Sequence, residues 1–129
     1  MESQNNKKIK IVLIEDDTFL GGMYVAKLNL EGFDVKLADD GEKGLKLVKS
    51  EQPDLVLLDI ILPKMSGFDV LKDIKANKDT KDLPVILLTN LGQREDVQKG
   101  IKLGAKDYLI KAHFMPSEVV TKIKALLQK

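Results

Sequence analysis

Three segments of this chain, Ile11-Val12-Leu13-Ile14, Leu55-Val56-Leu57-Leu58 and Val85-Ile86-Leu87-Leu88, are apolar at every position. A strand with one face in water alternates apolar with polar residues, whereas an unbroken run is covered on both faces. Each run is far too short to span a membrane. They therefore read as the central strands of a sheet held between two other layers. Five runs recur in all, at 9–14, 33–38, 55–58, 84–88 and 107–110. Pro84 can open its strand because a first residue need not donate to the ladder.

Helical spacing fills the gaps. Val119, Val120, Ile123, Leu126 and Leu127 recur with the period of an amphipathic terminal helix. Phe19, Met23, Ala26 and Leu30 mark an earlier helix that ends at Gly32 and is weakened locally by Gly21-Gly22. Another starts after Asp40-Gly41, and another after Ser66, a good N-cap, with Phe68, Leu71 and Ile74 facing inward. The fourth runs over 94–103 and stops at Gly104. Strand and helix alternate five times, which predicts an α/β fold: a doubly wound (βα)5 three-layer sandwich with a parallel five-stranded sheet and right-handed crossovers.

Composition narrows the function. At 129 residues, 43% apolar and 32% charged, the chain suits one folded domain spanning 1–129, with a core over 8–128. Lys plus Arg is 21 against 20 for Asp plus Glu, and the net charge of +1 supplies no large field for nucleic acid or an anionic membrane. Without Cys there is no disulfide, iron–sulfur cluster or thiol nucleophile, and a single His argues against a zinc site. The polar stretch 1–10 is unlike a signal peptide, so elimination leaves a cytoplasmic location. The last helical pattern ends one turn before the chain does, so no DNA-binding or enzymatic output domain is expected here.

In a parallel α/β sheet a ligand sits beyond the carboxyl ends of the strands, near the point where strand order reverses. The first strand ends in Glu15-Asp16-Asp17, the third in Asp59, the fourth in Thr89-Asn90 and the fifth in Lys111. Each has an ordinary reading: Asp17 as a helix cap, Glu15 and Asp16 as solvated charges, Asp59 as a loop cap, Thr89 as a strand residue, Lys111 as a surface charge. Together they describe something else. Crowded carboxylates suit a hard cation such as Mg²⁺, an ammonium serves as a point charge for phosphate, a hydroxyl can donate to a phosphoryl oxygen, and an aspartate can itself accept the phosphoryl group.

At those residues the sequence resembles the receiver domain of two-component response regulators, over 8–128 and in the stand-alone, chemotaxis-regulator-like form. The resemblance rests on Ile11-Val12-Leu13-Ile14-Glu15-Asp16-Asp17, on Asp54-Leu55-Val56-Leu57-Leu58-Asp59 with Leu62-Pro63-Lys64-Met65-Ser66-Gly67, and on Pro84-Val85-Ile86-Leu87-Leu88-Thr89. Gly104-Ala105-Lys106-Asp107-Tyr108-Leu109-Ile110-Lys111 completes it. It implies a flavodoxin-like fold with strand order 2-1-3-4-5, and a phosphoprotein whose Asp59 takes a phosphoryl group from a phosphohistidine on a sensor histidine kinase or phosphotransfer protein. It further implies Mg²⁺ held by Asp16 directly, Glu15 through water, Asp59, and the backbone carbonyl of Ile61. Lys111 would contact the phosphoryl group and Thr89 would follow it. Tyr108 would shift with Thr89 and alter the face of the fourth helix, fifth strand and fifth helix for a downstream protein target or a homodimer. For Tyr108 the plainer alternative is a half-buried strand aromatic. Such a protein catalyses its own phosphorylation and slow dephosphorylation but is mainly a signalling protein.

Several residues depart from the family pattern. Ala112 follows Lys111 where the family usually has Pro, and a cis bond there would cost about 2.5–4 kcal/mol. The connection Ala112-His113-Phe114-Met115-Pro116 is one residue longer than usual. Ile61 and Leu91 would flank the phosphoryl group with side chains that offer an attacking water no hydrogen bond, which predicts slow hydrolysis. The rival readings are a degenerate receiver that binds a partner without phosphorylation, an acid-nucleophile phosphatase, and a nucleotide or flavin binder. The phosphatase would want a second Asp where Ile61 stands, and no G-x-x-x-x-G-K-[ST] loop occurs.

Overall fold

The computed structural model describes residues 8–90, 94–111 and 116–127. Expectations that fall on Leu91, on Ala112, His113, Phe114 and Met115, and on Gln128 lie outside the described residues.

Strands and helices alternate as β1 (Lys10–Ile14), α1 (Thr18–Leu30), β2 (Asp34–Ala38), α2 (Gly41–Glu51), β3 (Leu55–Asp59), α3 (Gly67–Ala76), β4 (Val85–Thr89), α4 (Arg94–Lys102), β5 (Asp107–Ile110) and α5 (Pro116–Leu127). All neighbouring strands are parallel, in the order β2-β1-β3-β4-β5. Strand bounds differ from the apolar runs by one residue at most. Ile9, Phe33 and Pro84 fall outside the ladder, while Asp59 and Thr89 are drawn in as last residues paired with Leu88 and Ile110.

The unbroken apolar runs are explained by the two faces. Ile11, Leu13, Leu55, Leu57, Ile86 and Leu88 pack with Tyr24 and Leu28 of α1 and with Val119 and Ile123 of α5. Their alternates Val12, Ile14, Val56, Leu58, Val85 and Leu87 pack with Val48 of α2 and with Val70, Leu71 and Ile74 of α3. Each fully buried Leu, Ile or Val stabilises the fold by about 1.5–3 kcal/mol before entropy is counted. Among the described residues no helix is long and apolar enough to cross a membrane.

The facing of α1 is fixed by packing and not by its spacing. Phe19, Met23, Ala26 and Leu30 do form a helical stripe, but it faces outward, with Phe19 82% and Leu30 86% exposed. The buried side carries Gly21, Tyr24 and Leu28. Apolar residues line both sides of α1, so periodicity alone could not choose between them. Packing decides: a Cβ on Gly21 would meet the Leu37 side chain at 3.1 Å, so a bare glycine lets the helix lie close to the sheet edge, with Tyr24 and Leu28 filling the core. The caps fall where the sequence places them, Asp17 accepting from Leu20 N–H at 3.0 Å and Ser66 from Asp69 N–H at 3.2 Å.

Candidate functional site

With every strand parallel, all carboxyl ends reach one edge of the sheet, and β1 and β3 are adjacent there while the helices that follow them, α1 and α3, leave on opposite faces. Glu15 follows β1 and continues its pairing, its N–H donating to Ala38 O at 3.0 Å. Its side chain is fully buried, and its Oε2 accepts the Asp17 N–H at 3.0 Å. Asp59 ends β3 and is 5% exposed. Asp16 is exposed beside them. One oxygen from each of Glu15, Asp16 and Asp59 lies within 4.8 Å of the others.

Lys111, directly after β5, reaches into this cluster. Its Nζ is 2.7 Å from Asp59 Oδ2, 2.9 Å from Glu15 Oε1 and 3.2 Å from Glu15 Oε2. Burial disfavours charge on Lys111, but the hydrogen bonds to Asp59 and Glu15 outweigh it and hold the ammonium above its ordinary range. Burial dominates at Glu15 and pushes its carboxyl up to about 7, against the Asp17 and Lys111 hydrogen bonds that lower it, with the Asp59 charge adding to the rise. Three carboxylates and one ammonium leave the cluster short of positive charge. The donor set consists of oxygens alone, and the buried Oε1 of Glu15 has an ion-pair contact with Lys111 but no aligned hydrogen bond. Both features fit a hard, oxygen-seeking dication such as Mg²⁺.

Thr89 ends β4 on the same edge, 2% exposed, its hydroxyl donating to Asn90 O at 3.3 Å. A cavity of about 530 Å³ opens beside it, lined by Thr89, Asn90, Arg94, Val97, Gln98, Tyr108 and Ile110. Tyr108 of β5 stands at the rim of this cavity, 40% exposed. Ile61, two residues past Asp59, is 62% exposed at the mouth of the β3–α3 loop.

Two residues at the site were not legible in the sequence. Lys122 of α5 has the ordinary reading of a solvated helix lysine, yet it pairs with both oxygens of Asp107 at 3.1 Å, donates to Tyr108 O at 3.2 Å and lies 5.6 Å above the Tyr108 ring. Nothing local announces a contact between residues on different elements. Tyr24 is fully buried, and burial, with the nearby charges of Glu15, Asp59 and Asp17, pushes its phenol up. Its signal was the stripe Leu20, Tyr24, Leu28, which competed with the outward stripe of α1.

The family model described as the response regulator receiver domain matches residues 11–124. RpaA of Synechocystis, a DNA-binding dual master transcriptional regulator, is 40% identical over 120 residues, covering 93% of this chain and 49% of that protein. The chain thus spans about half the length of the curated relatives it matches. Among solved structures, the chemotaxis protein CheY4 of Vibrio cholerae superposes with a TM-score of 0.86 at 26% identity, over 94% of this chain and 100% of that one. The receiver domain of the sensor histidine kinase PA1611 of Pseudomonas aeruginosa, solved with a magnesium ion coordinated in its active-site cleft, has a TM-score of 0.84 at 26% identity, over 92% and 97% of the two chains.

Proposed function

The chain belongs to the response regulator receiver domain family, and on that premise we propose that it is a phosphorylation-activated receiver of a two-component phosphorelay with Asp59 as the phosphoryl acceptor. The observation that carries this reading is the convergence of Asp59, Glu15, Asp16 and Lys111: three carboxylate oxygens within 4.8 Å of one another, with an ammonium 2.7 Å from the acceptor. Stability alone does not favour crowding three carboxylates at one strand edge, and the arrangement suits phosphoryl transfer.

In the transfer, an Asp59 carboxylate oxygen attacks the phosphorus of a phosphohistidine on a kinase or phosphotransfer protein. The phosphorus–nitrogen bond breaks, and the imidazole leaves with the electron pair. Asp16, Asp59, the Ile61 carbonyl and Glu15 would hold Mg²⁺, which when bound would supply charge neutralisation for the phosphoryl oxygens. Lys111 releases Asp59 and takes a phosphoryl oxygen as a point charge. Thr89 donates its hydroxyl to another and in moving vacates space beside the 530 Å³ cavity, into which Tyr108 can turn. A phosphoryl group biases an equilibrium between two arrangements; it need not create the second one. In the arrangement with Tyr108 outward, the ring lies under Lys122 on the α4-β5-α5 face, and that face is the surface offered to a downstream protein or a second copy.

Receivers occur in several architectures among the similar proteins, as a chemotaxis protein, as part of a sensor histidine kinase and as part of transcriptional regulators. As a single domain, the extent of the Vibrio chemotaxis protein, which this chain matches over its whole length, it would act by protein contact in the cytoplasm. In the transcriptional regulators it forms about half the chain, and phosphorylation there would bias the remainder, the receiver itself making no contact with nucleic acid. The rival reading, a receiver that signals without phosphorylation, keeps the fold and loses the chemistry. Incubation with a histidine-phosphorylated donor, followed by borohydride reduction, separates them: an aspartyl phosphate at Asp59 is converted to homoserine and mapped by peptide sequencing. Homoserine at position 59 is expected; an unmodified Asp59 after donor turnover would contradict the proposal.

A further inference from the structure

We infer that Gly41, the first residue of α2, is a positioning residue for the metal site, acting through the β3–α3 loop that carries the Ile61 carbonyl; the inference rests on the receiver reading of that site. Gly41 is buried and its N–H donates to Pro63 O at 3.2 Å. A first-turn helix amide has no partner within its own helix, so this donor is available to hold the loop. A Cβ at Gly41 would overlap the Met65 carbonyl oxygen and lie 2.7 Å from Met65 Cβ. The obstruction is backbone, which cannot turn aside as a flexible side chain can.

The loop is held at three places. Ile60 N–H donates to Leu88 O at 3.3 Å, and Gly67 N–H donates to Ile60 O at 2.8 Å, fixing the two ends to β4 and α3. Its middle is a tight turn, Met65 N–H donating to Pro63 O at 2.7 Å, with Lys64 at φ +68. A non-glycine residue in the left-handed region is strained and persists where the surroundings over-determine it. Gly41 supplies that constraint from α2, touching the turn at Pro63 and at Met65. Ile61 lies two residues before Pro63, so a side chain at position 41 would move the carbonyl that completes the metal ligands while leaving every ligating residue in place.

Gly44, one turn along the same helix, provides the comparison. A Cβ there would press on the Ile14 side chain at 2.5–2.8 Å, in the core and not on the loop. Calorimetric titration of Mg²⁺ into wild type, Gly41→Ala and Gly44→Ala, each verified as folded by circular dichroism, tests the inference without reference to phosphorylation. Gly41→Ala is expected to raise the Mg²⁺ dissociation constant roughly tenfold, as loss of an outer-shell support typically does, while Gly44→Ala melts earlier with its Mg²⁺ affinity unchanged. Equal affinity in Gly41→Ala and wild type, or equal loss in both variants, would overturn it. Absence of Mg²⁺ binding in wild type would instead overturn the proposed phosphoryl-acceptor function. Should Gly41→Ala not fold, amide exchange on the wild type decides: Mg²⁺ is expected to slow exchange of the Gly41 amide, and no slowing would refute the coupling.

Discussion

Lys111 Nζ stands 2.7 Å from Asp59 Oδ2 while touching Glu15 Oε1 at 2.9 Å, so one ammonium from beyond β5 serves two carboxylates from β1 and β3. The three strands' ends meet through this group. Its four-carbon stem makes it a movable counter-charge, suited to balancing the acids at rest and to following a phosphoryl group when one arrives.

Replacing Lys111 by the near-isosteric Met leaves Asp59 and Glu15 without their counter-charge. Breaking a fully buried pair costs about 3–5 kcal/mol, and with the Lys111 side chain 14% exposed a loss of about 2 kcal/mol is expected. The metal-free variant melts earlier, binds Mg²⁺ more tightly because no ammonium competes, and gains its phosphoryl group more slowly. Melting curves with and without Mg²⁺ check all but the last; an unchanged melting temperature would contradict the pairing.

Stability should depend on pH through Glu15. Its carboxyl, ordinarily near 4.5, is raised to about 7 in the folded chain, chiefly by burial. Between those values the folded state holds more protons than the unfolded one, so stability falls as pH rises through the window. Glu15→Gln removes this contribution. Denaturant titrations of the metal-free protein at several pH values between 4.5 and 7.5 should show a steeper decline in wild type than in the variant; parallel curves would sink the assignment.

Ile61, 62% exposed beside the acceptor, offers no hydrogen bond to a water approaching a phosphoryl group on Asp59. Ile61→Asn provides one and is expected to speed dephosphorylation by about threefold or more, well short of the 10²-fold or greater effect typical of a true general base. The decay of the phosphorylated species after donor removal reads this directly, and an unchanged decay would count against Ile61 as a shield.

The two sides of α1 differ in cost. Phe19→Ser removes a side chain 82% exposed and should change stability by less than about 0.5 kcal/mol. Tyr24→Ala empties a fully buried site and should cost about 3–5 kcal/mol. Comparable losses from both would mean that the outward stripe is covered in solution.

That helix shows where the sequence stops being sufficient. The central strands were legible because being covered on both faces leaves an unbroken apolar run, and runs this short, with β-branched residues and bounded by polar residues or Pro84, favour strand over buried helix. The order of acids and lysine at their ends followed from chain direction in a parallel sheet. The facing of α1 was not, since Phe19, Met23, Ala26 and Leu30 recur as regularly as Leu20, Tyr24 and Leu28, and only the close approach of Gly21 to Leu37 separates them. Lys111 reaches this edge by its place after the fifth strand, whereas its double contact with Asp59 and Glu15 depends on side-chain reach that no spacing in the sequence records. The clasp of Lys122 on Asp107 and Tyr108 joins α5 to β5 and left no local trace.

The most direct measurement is intact mass after incubation with a small acyl phosphate, with and without Mg²⁺, for wild type and Asp59→Asn. A Mg²⁺-dependent gain of one phosphoryl group in wild type alone is expected. An equal gain in Asp59→Asn would contradict Asp59 as the acceptor, and no gain under any condition would contradict it and leave a receiver fold that signals by binding.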